Sequence, residues 1–210
     1  MTETDLDQLA TLLIQKASTR RIIVALAGPP GGGKTTTMLA LVDLLNDRQE
    51  GLCAGLPLDG YHYDDLFLNR MGWRARKGAP HTFDVGGFAH MLKRLKDNEE
   101  AQIAVPVFDR SIEIARAGAA IIKQPARIII TEGNYLLLDE QPWTGLQELF
   151  DVTVMVTAAD AVIRQRLYQR WVKFDYAEDE IRKKMNDNDL PNVAKVFENS
   201  RKADYVIVTG

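Results

Sequence analysis

A glycine-rich stretch followed by a lysine and three threonines is the segment of this sequence best suited to chemistry. Residues 28–37 read GPPGGGKTTT, which completes the spacing G-x-x-x-x-G-K-[ST]. In that spacing backbone N–H groups converge on phosphate oxygens, the lysine meets the β- and γ-phosphates of a nucleotide, and the hydroxyl ligates Mg²⁺. We therefore predict that ATP and Mg²⁺ bind here. The residues predicted to bind the nucleotide are Gly28, Gly31, Gly32, Gly33, Lys34, Thr35 and Thr36.

The elements around this segment are those that a phosphate-binding loop requires. A short apolar run at 21–27 is typical of a buried strand, and residues 35–46 have a helical pattern. Further strand patterns occupy 52–58, 103–108, 127–133, 151–157 and 203–208, and helical patterns occupy 85–97, 160–173, 177–185 and 191–201. Alternation of strands and helices predicts parallel strands joined by crossover helices. The expected fold is α/β, with a mostly parallel five-stranded sheet flanked by helices, and residues 1–210 are expected to form one domain.

Composition narrows the classes of protein that the chain can belong to. Of its 210 residues 46% are hydrophobic and 26% charged, as in an ordinary globular protein, and the net charge is −3. No overall basic field favours nucleic acid or an anionic membrane, and no apolar run approaches the ~18 residues of a membrane span. The acidic N-terminus differs from a basic secretory signal, and the single Cys53 cannot form an intrachain disulfide. These features indicate a cytoplasmic protein without nucleic-acid or membrane partners.

Two carboxylates follow strand patterns, at the edge of the sheet where parallel α/β folds bind ligands. Asp59 comes after 52–58, in a position to accept a proton from an attacking hydroxyl. It is equally well placed as a turn residue before Gly60. Glu132 ends the run RIIIT, the layout of a strand that presents an acid to a nucleotide-bound metal. Both interpretations of Asp59 therefore stay open here. We predict Thr35 with Glu132 as Mg²⁺ ligands, leaving open an exposed strand-end acid at Glu132.

Other charged residues have both a functional and a structural interpretation. Asp84 and Asp109 each suit a substrate pocket or a helix N-cap. Arg166 and Arg170 share a helix face, which either closes over phosphates or is simply solvated. A basic cluster leads into Asp84 and consists of Arg70, Arg74, Arg76 and Lys77.

The sequence lacks the signature motifs of several classes of nucleotide-binding protein. A signalling GTPase carries N/T-K-x-D, whereas residues 157–160 read TAAD, and no LSGGQ-like transporter signature is present. A small-molecule kinase needs an acceptor pocket, a carboxylate beside the attacking hydroxyl and cations that close over the phosphates. The chain has candidates for all three.

The order of these segments resembles the P-loop kinases of the phosphoribulokinase, uridine kinase and bacterial pantothenate kinase group. The resemblance covers most of the chain: LDGYH, HTFD, PVFD, TEGNYLLL and RQRLYQR are similar to successive motifs of that group. It implies a helical lid near 160–190, with Arg166 and Arg170 as its catalytic arginines beside Lys34, and it favours Asp59 as the base. The resemblance implies that Asp84, Phe108 and Asp109 bind the substrate. We add Tyr61 and His62, which follow Asp59 closely in the chain, to the predicted substrate-binding residues.

The resemblance extends furthest to bacterial fructose-transport-system kinases, through RARKGAPHTFD, PVFDR and EGNYLLLD. Uridine kinases of the group place a base-reading histidine where this chain has Glu113, and pantothenate kinases are longer. We therefore predict a kinase that transfers the γ-phosphoryl group of ATP to a hydroxyl of a sugar or related metabolite. A pantothenate or nucleoside kinase of the same group is the alternative, and a P-loop ATPase or regulatory module is the alternative of another class. A homodimer is compatible with each of these.

Overall fold

Parallel strands form the centre of the molecule. The computed structural model describes residues 1–210. Its strands, in chain order, are β1 (Thr2–Glu3), β2 (Ile22–Ala27), β3 (Cys53–Pro57), β4 (Gln102–Asp109), β5 (Ile114–Lys123), β6 (Ile128–Gly133), β7 (Val152–Thr157) and β8 (Tyr205–Val208). Six of them pair in the order β1–β8–β7–β2–β6–β3, and every pairing in this sheet is parallel. The predicted α/β fold with a parallel sheet is confirmed.

The sheet has one strand more than predicted. Thr2–Glu3 pairs with Tyr205 and Val206 at the outer edge of β8. A two-residue polar strand has no apolar pattern that a sequence reading can detect, and it exists only because β8 offers an unpaired edge.

Burial on both faces explains why the central strands are continuous apolar runs. All six residues of β2 are buried. Ile23 and Ala25 belong to the hydrophobic core on one side of the sheet, whereas Ile22 and Val24 belong to the core on the other side. The strand therefore places Gly28, the residue after Ala27, at the carboxyl edge of a rigid sheet.

The predicted strand at 103–108 lies outside this sheet. It forms β4, which pairs antiparallel with β5 in a separate two-stranded hairpin. The strand β5 was not predicted, because its residues, IARAGAAIIK, show neither strict alternation nor a continuous apolar run. Pairing with β4 and the positive φ of 65° at Gly118, rather than strand propensity, determine its conformation.

Helices cover both faces of the sheet and one end of it. They are α1 (Leu6–Lys16), α2 (Lys34–Arg48), α3 (Asp65–Arg70), α4 (Val85–Asp97), α5 (Asp160–Val172), α6 (Glu178–Lys184) and α7 (Leu190–Asn199). A π-helical turn, Met185–Asp189, joins α6 to α7. None of the helices combines the length and the apolar composition that a bilayer crossing requires.

Candidate active site

The glycine-rich loop joins β2 directly to α2. The helix begins at Lys34, and Gly33 at its N-cap has a φ of 92°, a left-handed conformation that residues with a Cβ rarely adopt. The N-terminus of α2 therefore opens toward the loop with unpaired N–H groups and the positive end of its dipole. This geometry suits an anion, and phosphate above all.

Lys34 is held inside the loop by neutral groups. Its side chain is nearly buried, and Nζ donates to the carbonyl O of Pro29 at 3.0 Å and to Oδ1 of Asn134 at 2.7 Å. Burial lowers the pKa of Lys34, whereas the charges of Glu132 and Asp59 act to raise it. The cation therefore has no ion-pair partner of its own and is available to a phosphate.

Thr35 and Glu132 meet on the same side of the loop. The Thr35 hydroxyl donates to Oε1 of Glu132 at 3.0 Å, and Glu132 is only 5% exposed at the end of β6. Burial and then the charge of Asp59 raise the pKa of Glu132, and Lys34 opposes that rise. No group of three or more His, Cys, Asp or Glu side chains is arranged to hold a metal. One hydroxyl and one carboxylate nevertheless fit Mg²⁺, which keeps several waters and takes its remaining ligands from substrate phosphates.

Asp59 occupies a 3₁₀ turn, Leu58–Tyr61, just beyond the end of β3. Its Oδ2 accepts a 2.5 Å hydrogen bond from Nη2 of Arg110, which lies in the turn between β4 and β5. Its Oδ1 is 3.9 Å from Nδ1 of His62. Parallel pairing of β3 with β6 brings the ends of these two strands together, so Asp59 lies near Glu132 and Lys34.

His62 lies among aromatic rings beside Asp59. Its ring centroid is 4.0 Å from that of Phe83 and 5.0 Å from that of Phe108. Nδ1 donates to the backbone carbonyl of Asp59 at 2.9 Å, and burial lowers the pKa of the imidazole. His62 and Phe108 thus form a compact wall next to the carboxylate.

The arginines of α5 make different contacts. Arg166 donates to the carbonyl O of Gly31 at 3.2 Å and to Oγ1 of Thr209 at 2.8 Å, so it lies directly against the glycine-rich loop. Arg170 pairs with the buried Asp189 at 2.8 Å, and Asp189 also accepts from Nε1 of Trp171 at 2.6 Å. Both arginines line the same cleft as Lys34.

One cleft of about 1110 Å³ contains these groups. Its phosphate-loop side is lined by Lys34, Thr35, Glu132 and Asn134, and its hairpin side by Asp59, His62, Phe83, Phe108 and Arg110. Both sets of residues line one open space, so Asp59 shares the cleft with the glycine-rich loop. This arrangement can bring a nucleotide phosphate next to a hydroxyl group whose proton Asp59 accepts.

Three residues that the resemblance assigns to the substrate pocket do not line this cleft. Tyr61 packs its ring against Phe88, 5.0 Å between centroids, in the hydrophobic core. Asp84 folds back to cap α4 and accepts from the backbone N–H of Gly87 at 2.8 Å. Asp109 accepts from Ser111 and pairs with Arg116 at 3.1 Å. Their role toward a substrate stays a prediction.

The cleft also contains residues that the sequence analysis did not single out. Asn134 could have been found by the strand-end rule that found Glu132, because it comes two positions later. Asp189 gave no signal, since it lies between the helical patterns at 177–185 and 191–201 and its burial depends on Arg170 and Trp171. Thr209 reaches the loop only because β8 ends beside it, where its hydroxyl donates to the carbonyl O of Gly32 at 3.1 Å.

Comparison with known proteins places these features among nucleotide-dependent kinases. The sequence profile of the phosphoribulokinase / uridine kinase family matches residues 23–207, a range that contains the loop, both carboxylates and both arginines. A crystal structure from Silicibacter sp. TM1040, of a protein provisionally named a fructose transport system kinase, has a TM-score of 0.87 and 34% identity, and the match covers 97% of this chain and 99% of that one.

Two relatives are similar in sequence. Protein YggC of Escherichia coli is 32% identical over 152 residues, which cover 72% of this chain and 62% of that protein. A Schizosaccharomyces pombe protein provisionally named uridine kinase C227.14 is 31% identical over 158 residues, which cover 72% of this chain and 67% of that protein. The match thus spans about two thirds of the length of these relatives.

Proposed function

Because the chain belongs to the phosphoribulokinase / uridine kinase family, and is thereby a P-loop kinase, we propose that it transfers the γ-phosphoryl group of ATP to a hydroxyl of a sugar or related small metabolite. The observation that carries this proposal is that Asp59 lines the same cleft as Lys34 and the Thr35–Glu132 pair. A phosphate loop alone serves many activities, whereas a carboxylate facing it provides for a hydroxyl acceptor.

The phosphate-loop side has the groups that hold a nucleotide for transfer. Backbone N–H groups of Gly31 and of Gly33 to Thr36, together with the Nζ of Lys34, bind the phosphates in this proposal. Gly28 and Gly32 shape the loop, and the N–H of Gly32 donates to the carbonyl O of Pro29. Thr35 and Glu132 hold Mg²⁺, which when bound neutralises charge on the transferring phosphate. Lys34 then exchanges its hydrogen bond with Asn134 for one with a phosphate oxygen, and the buried surroundings strengthen that contact.

The hairpin side prepares the acceptor. Asp59 accepts the proton of the attacking hydroxyl, while His62 and Phe108 position the carbon skeleton. Arg166 and Arg170 stabilise the charge that shifts during transfer, an effect that is strongest in a site that excludes water. Segment 160–190 serves as the lid, and residues 1–210 act as one kinase unit. We propose the cytoplasm, where Mg·ATP is available, as the compartment, and we leave a homodimer open.

The choice of a sugar rests on two supports. The Silicibacter protein, at 34% identity over nearly the whole chain, carries a name that connects it to fructose transport. Glu113 lines the cleft at the position where the resemblance to uridine kinases predicts a base-reading histidine. The uridine kinase name of the S. pombe relative keeps nucleosides as the second candidate acceptors.

The test is an acceptor screen with the purified full chain, ATP and Mg²⁺. ADP release is measured with free sugars, sugar phosphates, polyols, pantothenate and nucleosides. We expect ADP release above the intrinsic ATPase rate with a sugar or a related polyol. If uridine or pantothenate exceeds every sugar in kcat/KM, the choice of acceptor is wrong and the kinase reaction stands. If no compound raises the rate above intrinsic hydrolysis, the P-loop ATPase or regulatory module is favoured.

A further inference from the structure

Arg110 holds the carboxylate that the proposed reaction needs. Its Nη2 lies 2.5 Å from Oδ2 of Asp59, and this is the guanidinium's only polar contact in the structure. The side chain of Arg110 is 59% exposed and that of Asp59 is 27% exposed. An ion pair this open to solvent contributes little to folding. A competing anion can therefore separate the two side chains at small cost.

The contact conflicts with the role of Asp59 as a base. A guanidinium at hydrogen-bond distance occupies one carboxylate oxygen and balances the negative charge that attracts a hydroxyl proton. The other oxygen faces Nδ1 of His62. Arg110 must therefore leave Asp59, at least in part, before a hydroxyl can take its place. A guanidinium that leaves one carboxylate is best satisfied by another oxyanion, because its planar donors match carboxylate and phosphate.

The surroundings of Arg110 favour an anion over a neutral group. Phe108 lies between two cations, with Arg110 Cζ 5.7 Å and Lys77 Nζ 5.3 Å from its ring centroid. Arg74 and Arg76, which are close to Lys77 in the chain, line the same cleft. The whole chain carries a net charge of −3, so this concentration of cations is specific to the cleft and does not reflect the charge of the whole protein. Such a surface raises the local concentration of anionic ligands.

Lys77 and Arg74 share the carboxylate of Asp65, and Arg76 donates to the carbonyl of Asp187 and to Asn192, so Arg110 is the cation whose only polar partner is the proposed base. The Lys77 side chain is 9% exposed, and Nζ is bound by Asp65 at 2.7 Å and by the backbone carbonyl of Glu113 at 2.6 Å. Arg110 has no such anchors on the hairpin. Its reach is limited by the turn that carries it, so the anion it binds must lie close to Asp59.

We propose that the acceptor carries a phosphate or carboxylate group besides its hydroxyl, that Arg110 binds this anion, and that binding releases Asp59 to act as the base. This inference rests on the proposed kinase function and names the substrate class for that site. The acceptor oxygen attacks the γ-phosphorus as the bond from that phosphorus to the β-phosphate oxygen breaks. ADP leaves, and the hydroxyl proton passes to Asp59 and then to solvent. Before the acceptor binds, Arg110 covers the base, which limits transfer of the phosphoryl group to water.

Matched pairs of acceptors test the substrate class. With saturating Mg·ATP, kcat/KM for acceptor-dependent ADP release is measured for fructose and fructose 6-phosphate, ribose and ribose 5-phosphate, and glycerol and glycerate. We expect the anionic member to be preferred in at least one pair, by roughly 10- to 100-fold, as hydrogen bonds to charged groups provide. The phosphate pairs and the carboxylate pair distinguish the two anions. Equal or better use of the neutral member in every active pair would overturn the inference.

Replacing Arg110 tests the residue. In Arg110→Gln the preference for the anionic member should fall to nearly 1, mainly through a higher KM for the acceptor. Arg94→Gln is the matched control, because Arg94 is an exposed arginine paired with Glu100 at 2.5 Å outside the cleft, and its acceptor preference should equal that of the wild type. If Arg110→Gln keeps the preference for the anionic acceptor, another group binds the anion and the proposal is wrong.

Intrinsic ATP hydrolysis tests the covering of the base without any acceptor. Arg110→Gln should raise the acceptor-independent rate by roughly 10-fold, which is less than the ~10²- to 10⁴-fold that a general base supplies because the wild-type pair opens part of the time. Asp59→Asn added to Arg110→Gln should cancel the increase. An unchanged rate in Arg110→Gln would contradict the release of Asp59. If neither hydrolysis nor transfer occurs with any compound, the proposed function fails, and the inference fails with it.

Discussion

The Nζ atom of Lys34 donates a 2.7 Å hydrogen bond to Oδ1 of Asn134, a neutral amide at the end of β6. A carboxylate at this place would form a buried ion pair with Lys34 and repel the phosphates. We expect Asn134→Asp to raise the Kd for ATP by about 10- to 100-fold, the range for losing a hydrogen bond to a charged group. Isothermal titration measures this Kd. Asn199→Asp, which adds the same charge at an exposed position outside the cleft, is the control and should bind ATP normally.

Asp59→Asn removes the proposed base while keeping the size of the side chain. We expect kcat to fall by about 10²- to 10⁴-fold with little change in ATP affinity. Asp47→Asn, at an exposed position on α2, is the control. Steady-state kinetics with the acceptor found in the screen, and circular dichroism for folding, provide the measurement. Near-normal kcat in a folded variant excludes the role, and a large loss of Mg·ATP affinity assigns Asp59 to the metal.

Glu132→Gln tests the proposed metal ligand. The amide can still accept from the Thr35 hydroxyl, now at 3.0 Å from Oε1, but it lacks the charge that holds Mg²⁺. The Mg²⁺ concentration that gives half-maximal activity should rise roughly 10-fold or more. Removal of Mg²⁺ with EDTA should stop wild-type turnover. An unchanged Mg²⁺ requirement in the variant would mean that Glu132 does not contribute to the metal site.

Arg166→Ala and Arg170→Ala should each lower kcat more than they raise the Kd for ATP, because cations over the phosphates matter most as charge shifts in the transition state. Arg164→Ala lies on the same helix, pairs with Asp160 at 2.6 Å and serves as the control. A change in Kd alone would indicate ground-state binding. If neither quantity changes, the arginines serve only the structural contacts that they make with Thr209 and Asp189.

Two adjacent arginines allow a stability prediction. Arg21 is 2% exposed, and its guanidinium donates to the carbonyls of Leu95, Lys123, Gln124 and Ala126, whereas Arg20 is exposed and pairs with Asp151. Arg21→Ala leaves buried acceptors unpaired and should lower the free energy of unfolding by about 3 kcal/mol or more. Arg20→Ala should cost at most about 1 kcal/mol. Urea denaturation measures both, and similar losses in the two variants would contradict the prediction.

The parts of the fold that follow from sequence are those in which burial dictates residue type. The strands β2, β6 and β7 are apolar because both faces of the sheet are covered, so their patterns are unambiguous. In contrast, β5 has a mostly exposed surface and is a strand through its pairing with β4. Pattern alone carries no information about such a partner.

The candidate site divides in the same way. Lys34 and Thr35 lie where β2 passes into α2, and Glu132 lies at the end of β6, so these elements bring the three residues together. The sequence pattern predicts each of these elements. The direction in which a side chain points cannot be predicted from the sequence pattern. Asp84 could point toward the cleft or toward its own helix, and the hydrogen bond with Gly87 turns it to the helix. The pairing of Arg110 with Asp59 joins residues from separate elements, so only the three-dimensional structure reveals it.

The β4–β5 hairpin is joined to the rest of the molecule by packing and by contacts of side chains such as Arg110 and Lys77, and none of its ladder bonds is shared with the central sheet. Its attachment is close, since a Cβ at Gly60 would lie 2.8 Å from the carbonyl of Pro106. Mutations in the hairpin turn therefore leave the register of the nucleotide half untouched. If the proposed sites are correct, selection can alter the acceptor pocket while conserving the nucleotide pocket. The same separation makes the turn from Arg110 to Glu113 the natural segment to randomise in a library that seeks new acceptors.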